Sequence, residues 1–243
     1  MHGWGGSCDS FRGLALFLSK KFRVTLVDFY GFGATPEPII PITLDDYVLS
    51  IVRIIREYKM SGVTLICHSF GGRVGIKLAA KYGYMIEKLI LVDSAGLKPR
   101  RGIRYYSKVL IHKTLNKLKV QHNWGSEDYK KLSGTMRETF KNIVNEDLTP
   151  LLNKINTKTL IVWGDKDKDT PIYMGKKLLR KIKNSGLIIF ENCGHFAYIE
   201  RHNVFCRIVE NFLAENVDAL DCNNNINFNT NYNVVKIPNV SAK

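Results

Sequence analysis

Residues 63–80 constrain this chain more than any other stretch. Val63-Thr64-Leu65-Ile66 is apolar or β-branched, Cys67-His68-Ser69-Phe70-Gly71-Gly72 is a short turn rich in small residues, and Val74-Gly75-Ile76-Lys77-Leu78-Ala79-Ala80 reads as a helix. The pattern is strand, sharp turn, helix, with a serine at the apex. Such a turn holds its serine in a strained backbone conformation and lifts the hydroxyl clear of the sheet. Gly71 and Gly72 permit the close approach of strand and helix on one side. On the other side, two residues before the serine, the usual glycine is replaced by Cys67. On this stretch alone, a βα loop with an incidental serine remains an open reading.

Further apolar runs alternate with helical patterns along the chain. The opening Met1-His2-Gly3-Trp4-Gly5-Gly6-Ser7 is a Gly-rich loop whose backbone N–H groups can stabilise a developing oxyanion. A helix is expected over 10–18 and a strand over 22–28, ending in the turn Tyr30-Gly31-Phe32-Gly33. Thr43 is a suitable N-cap for a helix over 43–58, with Asp45 and Asp46 placed to suit its dipole. Lys88-Leu89-Ile90-Leu91-Val92-Asp93, Thr159-Leu160-Ile161-Val162-Trp163 and Leu187-Ile188-Ile189-Phe190 read as further strands, and helices are expected over 174–182 and 203–216. Nearly continuous apolar strands separated by helices indicate an α/β fold with a mostly parallel sheet flanked by helices on both faces.

Residues 97–153 differ in texture, with basic residues such as Lys98, Arg100, Arg101 and Arg104 set among aromatics at helical spacing. They read as a helical cap inserted between a first core part, 1–96, and a second, 154–216. An Asn-rich tail, 217–243, is expected to be disordered.

A length of 243 residues suits one such domain. No run of about 18 apolar residues is present, so no membrane span is expected. There is no basic-then-apolar signal segment. The five cysteines (Cys8, Cys67, Cys193, Cys206, Cys222) show neither CxxC pairing nor metal-ligand spacing. They read as reduced thiols of a cytoplasmic protein. The formal charge of +14 is compatible with anionic partners, but no helix-turn-helix, zinc or basic-aromatic module accompanies it, and no nucleic-acid partner is expected.

Ser69, Asp167 and His195 lie on loops at the carboxyl ends of three expected parallel strands, in the order serine, acid, histidine. Loops at that edge converge on one crevice. A hydroxyl nucleophile needs an imidazole to take its proton, and the imidazole needs a carboxylate to fix its tautomer and stabilise its charge. Asp165, Asp169 and Asp93 stand as alternatives for the acid. His2 and His68 read as residues that position loops, and Asp28 with the glycines after it as a structural turn.

The ordered set His2-Gly3-Trp4-Gly5, Asp28 with Gly31-Phe32-Gly33, His68-Ser69-Phe70-Gly71-Gly72, Leu91-Val92-Asp93, Trp163-Gly164-Asp165-Lys166-Asp167 and Gly194-His195 resembles the α/β-hydrolase superfamily, in its capped, serine esterase and lipase-like branch. The resemblance covers residues 2 to about 213. It implies Ser69 as nucleophile, Asp167 as acid, His195 as base, and the backbone N–H groups of Trp4 and Phe70 as the oxyanion hole. It implies hydrolysis of a carboxylic ester or thioester of a small or acyl-chain substrate through an acyl-enzyme, with no metal and no organic cofactor. The basic cap would favour an anionic substrate if its charge faces the site. A carbon–carbon bond hydrolase with the same triad, and a truncated non-catalytic remnant, are the alternatives.

The resemblance also implies a strand just before the Gly-rich loop, between the strand at Val24 to Val27 and the elbow strand. Only Met1 stands there. Three explanations are open: a start upstream of Met1, a slot filled by Asn233-Val234-Val235-Lys236-Ile237, or a decayed, inactive copy.

Overall fold

The computed structural model describes residues 1–98, 132–214 and 234–238. Among the described residues, five parallel strands lie side by side in chain order: β1 Val63–His68, β2 Ile86–Val92, β3 Lys158–Gly164, β4 Ser185–Phe190 and β5 Val234–Ile237. Side chains alternate across a strand, so β2, β3 and β4 each feed two cores. Leu89, Leu91, Ile161, Trp163, Leu187 and Ile189 belong to one buried cluster. Ile90, Val92, Leu160, Val162, Ile188 and Phe190 belong to the other. Burial on both faces is why these strands are almost wholly apolar.

The first cluster is covered by α2 Leu44–Glu57, α3 Phe70–Tyr82, α4 Gly134–Asn145 and α5 Tyr173–Lys181; α1 Arg12–Leu18, α6 Ala197–Glu200 and α7 His202–Leu213 cover the second. The start of α2 is fixed by a capping box between Thr43 and Asp46. Its buried Leu44, Tyr47, Val48, Ile51, Val52 and Ile55 recur at three- and four-residue spacing, which turns one face to the sheet. Full burial of one such side chain contributes roughly 1.5–3 kcal/mol.

α3 follows Ser69 directly, and polar side chains fix it to its surroundings. The buried Lys77 ammonium lies 2.8 Å from Asp45 and 2.7 Å from Glu146. The buried Arg73 guanidinium donates to the Glu146 and Val144 carbonyls at 2.9 and 3.2 Å, where α4 ends and its unpaired carbonyls need donors.

Two sequence expectations are corrected. Residues 22–28 are not a strand, although their composition suits one. A strand needs a neighbour to complete its ladder, and no strand lies between this segment and β1 among the described residues. A cavity of about 400 Å³ occupies that place, lined by Leu14, Leu18, Val24, Leu26, Ile51 and Ile66, among others. At one end of it, the Met1 amine donates to the Ile66 carbonyl at 2.7 Å, and the His68 N–H donates to the Met1 carbonyl at 3.0 Å. These bonds set Met1 beside Cys67 in the register of a parallel ladder.

The second correction concerns the tail. Val234–Ile237, expected to be disordered, forms β5 and pairs with Leu187–Phe190 of β4. Its β-branched residues suit an edge strand despite the Asn-rich surroundings. β5 lies at the edge of the sheet opposite β1, so it does not fill the slot beside Met1.

Of the helical insertion expected over 97–153, residues 99–131 lie outside the described residues, Arg100, Arg101 and Arg104 among them; the remainder supplies α4 and the 3-10 segment Thr149–Lys154. Cys222 also lies outside. Cys8, Cys67, Cys193 and Cys206 are free thiols. Among the described residues, no helix is long and apolar enough to cross a membrane.

Candidate active site

Ser69 sits between the last residue of β1 and the first of α3, with φ 50° and ψ −112°. A non-glycine residue there is strained by roughly 1–3 kcal/mol, and the surrounding contacts hold it in place. The Ser69 N–H donates to the Val92 carbonyl, and the Ser69 carbonyl accepts from the N–H groups of Gly72 and Ala95. The flanking glycines are required by contact. A Cβ on Gly71 would come within 2.5 Å of the Met1 carbonyl oxygen, and one on Gly72 would collide with Ser94. Cys67 replaces the usual glycine without a clash because Gly75, one turn into α3, leaves space for its sulfur. A Cβ on Gly75 would stand 2.6 Å from that sulfur.

The loops after β3 and β4 bring Asp167 and His195 to the serine. His195 Nε2 lies 2.9 Å from Ser69 Oγ, and His195 Nδ1 lies 2.8 Å from Asp167 Oδ2. Asp167 is buried and its carboxylate is densely bonded. Oδ1 accepts from the Asp169 and Thr170 N–H groups at 2.8 and 2.9 Å, and Oδ2 accepts from the Thr170 hydroxyl at 2.6 Å. Burial pushes this carboxyl up, but the hydrogen bonds from His195 and Thr170 outweigh it and hold the group below its ordinary value. An ionised Asp167 keeps the His195 proton on Nδ1, leaving Nε2 free to accept from the serine.

The alternative acids face other partners. Asp165 accepts from the Asn192 N–H at 2.7 Å, and Asp169 is exposed. Asp93, with φ 43°, is fully buried after β2. It accepts from the N–H groups of Gly164 and Ala197, at 2.8 and 3.3 Å, and so fixes the start of the acid loop and the residue two beyond His195. Burial, with the charge of Asp167 adding to it, holds the Asp93 carboxyl well above its ordinary value against the pull of those N–H groups. Asp167, Asp169 and His195 bring three potential metal donors within 4.8 Å of one another. The facing atoms of Asp167 and His195 already bond each other, so binding a cation there would break that link.

The Gly-rich loop is set against the serine turn. The Gly71 N–H donates to the His2 carbonyl at 3.1 Å. The His2 ring is buried, accepts from the Phe29 N–H through Nε2 at 3.2 Å, and reaches the Gly3 carbonyl through Nδ1 at 2.7 Å. Asp28 closes its turn by accepting from the Cys8 and Ala34 N–H groups at 2.6 and 2.9 Å. The Trp4 ring packs edge-on against Phe32, Phe70 and Phe140, with centroids 4.8, 5.3 and 5.0 Å away. Neither the Trp4 nor the Phe70 N–H donates a backbone hydrogen bond among the described residues. Thr170 and the bridging role of Asp93 were not apparent from sequence; only the proximity of Thr170 to Asp167 offered a signal.

A model described as the alpha/beta hydrolase family matches residues 1–208 of the chain. A 2-hydroxy-6-oxononadienedioate/2-hydroxy-6-oxononatrienedioate hydrolase of Escherichia coli (strain K12 / DH10B) is 26% identical over 246 residues, covering 88% of this chain and 85% of that protein. Among solved structures, an esterase from Exiguobacterium antarcticum aligns with a TM-score of 0.72 at 23% identity, over 88% of this chain and 90% of that one. A serine hydrolase involved in carbazole degradation aligns with a TM-score of 0.70 at 26% identity, over 88% and 89%.

Proposed function

Because the chain belongs to the alpha/beta hydrolase family and is a hydrolase, we propose that it cleaves a carboxylic ester or thioester through an acyl-enzyme on Ser69. The observation that carries this reading is the unbroken relay Asp167–His195–Ser69, with links of 2.8 and 2.9 Å. Ser69 Oγ attacks the substrate carbonyl as His195 Nε2 takes its proton, and Asp167 stabilises the imidazolium. The tetrahedral oxyanion is held by the Trp4 and Phe70 N–H groups, each contributing roughly 2.7–4 kcal/mol to the transition state. Collapse expels an alkoxide or thiolate, which leaves with the proton from His195. Water, deprotonated by His195, then attacks the acyl-enzyme and releases the acid.

The E. coli relative favours a second reading, carbon–carbon bond hydrolysis of a 2-hydroxy-6-oxo dienoate. Nitrophenyl acetate and butyrate, assayed beside such a dienedioate, separate the two. The expected result is an ester burst of one equivalent that Ser69→Ala abolishes. A kcat/KM for the dienedioate more than about tenfold above the best ester, a difference of roughly 1.4 kcal/mol, would favour the second reading. Turnover of neither would favour a non-catalytic remnant. An anionic substrate is part of the same proposal: reversing the charges of Arg100, Arg101 and Arg104 is expected to erode any preference for anionic over neutral esters.

A further inference from the structure

Resting on the reading of Ser69 as nucleophile and His195 as base, we propose that His68 is a positioning residue that holds the base in register with the serine and the Gly-rich loop. His68 ends β1 and is bonded covalently to Ser69. Its ring, 2% exposed, lies among His195, Tyr198 and Phe196, at centroid distances of 4.8, 4.9 and 5.2 Å. His68 Nε2 is 2.7 Å from the His195 carbonyl oxygen. A carbonyl only accepts, so His68 carries a proton on Nε2 and donates it there. Burial, with His195 adding to it, pushes the His68 pKa down to about 3, so the ring is neutral at ordinary pH and cannot serve as a base.

Three loops meet on this residue. Its chain continues into the nucleophile, and its side chain grips the backbone of the base. Its own N–H donates to Met1 at 3.0 Å, and a Cβ on Gly3 would come 3.0 Å from its Nδ1. The other bonds near His195 point elsewhere. Gly194 N–H donates to Glu200, and Ala197 N–H donates to Asp93. Asp167 fixes the tautomer of His195 but does not set its distance from Ser69. The His68 bond runs from the serine's own neighbour to the backbone of the base, and that is the spacing proton transfer depends on.

The test compares His68→Gln, which keeps an N–H donor at similar reach, with His68→Phe, which keeps the volume and loses the donor. Both variants and the wild type are melted to establish folding. Their phosphonylation rates with a fluorophosphonate are then followed from pH 5 to 9, and the histidine ring nitrogens are read by long-range ¹H–¹⁵N correlation. His68→Phe is expected to react about tenfold to a hundredfold more slowly, with a displaced pH midpoint and shifted His195 ring signals. His68→Gln is expected to recover the rate to within a few-fold and to restore the signals. A His68→Phe rate and midpoint equal to wild type, or a His68→Gln no better than His68→Phe, would overturn the proposal. The wild-type spectrum alone also decides it, since a His68 ring protonated on Nδ1 rather than Nε2 contradicts the bond. If the wild type takes no label while the His195 signals move in His68→Phe and return in His68→Gln, the hydrolase reading fails and the positioning role stands.

Discussion

Ser69 and Asp93 both have positive φ, 50° and 43°, immediately after β1 and β2. Backbone bonds at Ser69 and side-chain bonds at Asp93 hold these conformations in place. Charge at this scale links the site to stability. His68 is neutral when folded, with a pKa of about 3 against 6.5 for a free histidine. The unfolded chain therefore binds a proton that the folded chain refuses, and stability falls as pH drops from about 6.5 toward 3. The slope from one such group reaches at most about 1.4 kcal/mol per pH unit. His2 is also lowered by burial and acts in the same direction. Urea melts at pH 7, 6 and 5 are expected to show a shallower decline for His68→Gln than for wild type. Parallel curves would remove His68 from the acid response.

At the scale of elements, β1 and α3 fit because Cys67 and Gly75 exchange volume. Gly75→Ala places a methyl 2.6 Å from the Cys67 sulfur and is expected to cost about 1–3 kcal/mol. Adding Cys67→Gly is expected to recover most of that loss, which a double-mutant cycle measures. Strictly additive losses would mean that the two residues do not compete for space. The same pair shows what sequence conveys: Cys67 was visible as a departure from the usual glycine, but its compensation further along, at Gly75, was not. Ser69, Asp167 and His195 were legible because each sits in a local strand-to-loop signature, and chain order did the rest. Asp93 stands in the sequence only as an alternative acid, and its bridging partners are not legible there, since Gly164 lies 71 residues away and Ala197 lies 104. Residues 22–28 have the composition of a strand, but a strand also requires a neighbour, which composition does not reveal. β5 was hidden because a few β-branched or apolar positions carry little weight inside an Asn-rich tail.

Across the whole molecule, the sheet of the described residues ends at β5 on one edge and is bordered by an apolar cavity of about 400 Å³ beyond β1. Leu26, 37% exposed, lies on the wall of that cavity. Among the described residues only Met1 bonds the outer edge of β1; an apolar groove beside such an edge favours self-association, and a charge on the edge opposes it. Sedimentation is expected to show concentration-dependent association that Leu26→Lys reduces without slowing catalysis. Identical profiles for the two proteins would show that the groove does not drive association. Ser69, Asp167 and His195 do not line this cavity. The central claim is that elbow, base and acid form a working nucleophile in this chain as it stands. Its most direct test is the intact mass of the purified protein after incubation with a fluorophosphonate, beside Ser69→Ala. The expected result is a gain of one phosphonyl group per wild-type chain and none in the variant. A folded wild-type chain that gains no mass, or a Ser69→Ala chain that gains as much as wild type, would contradict it.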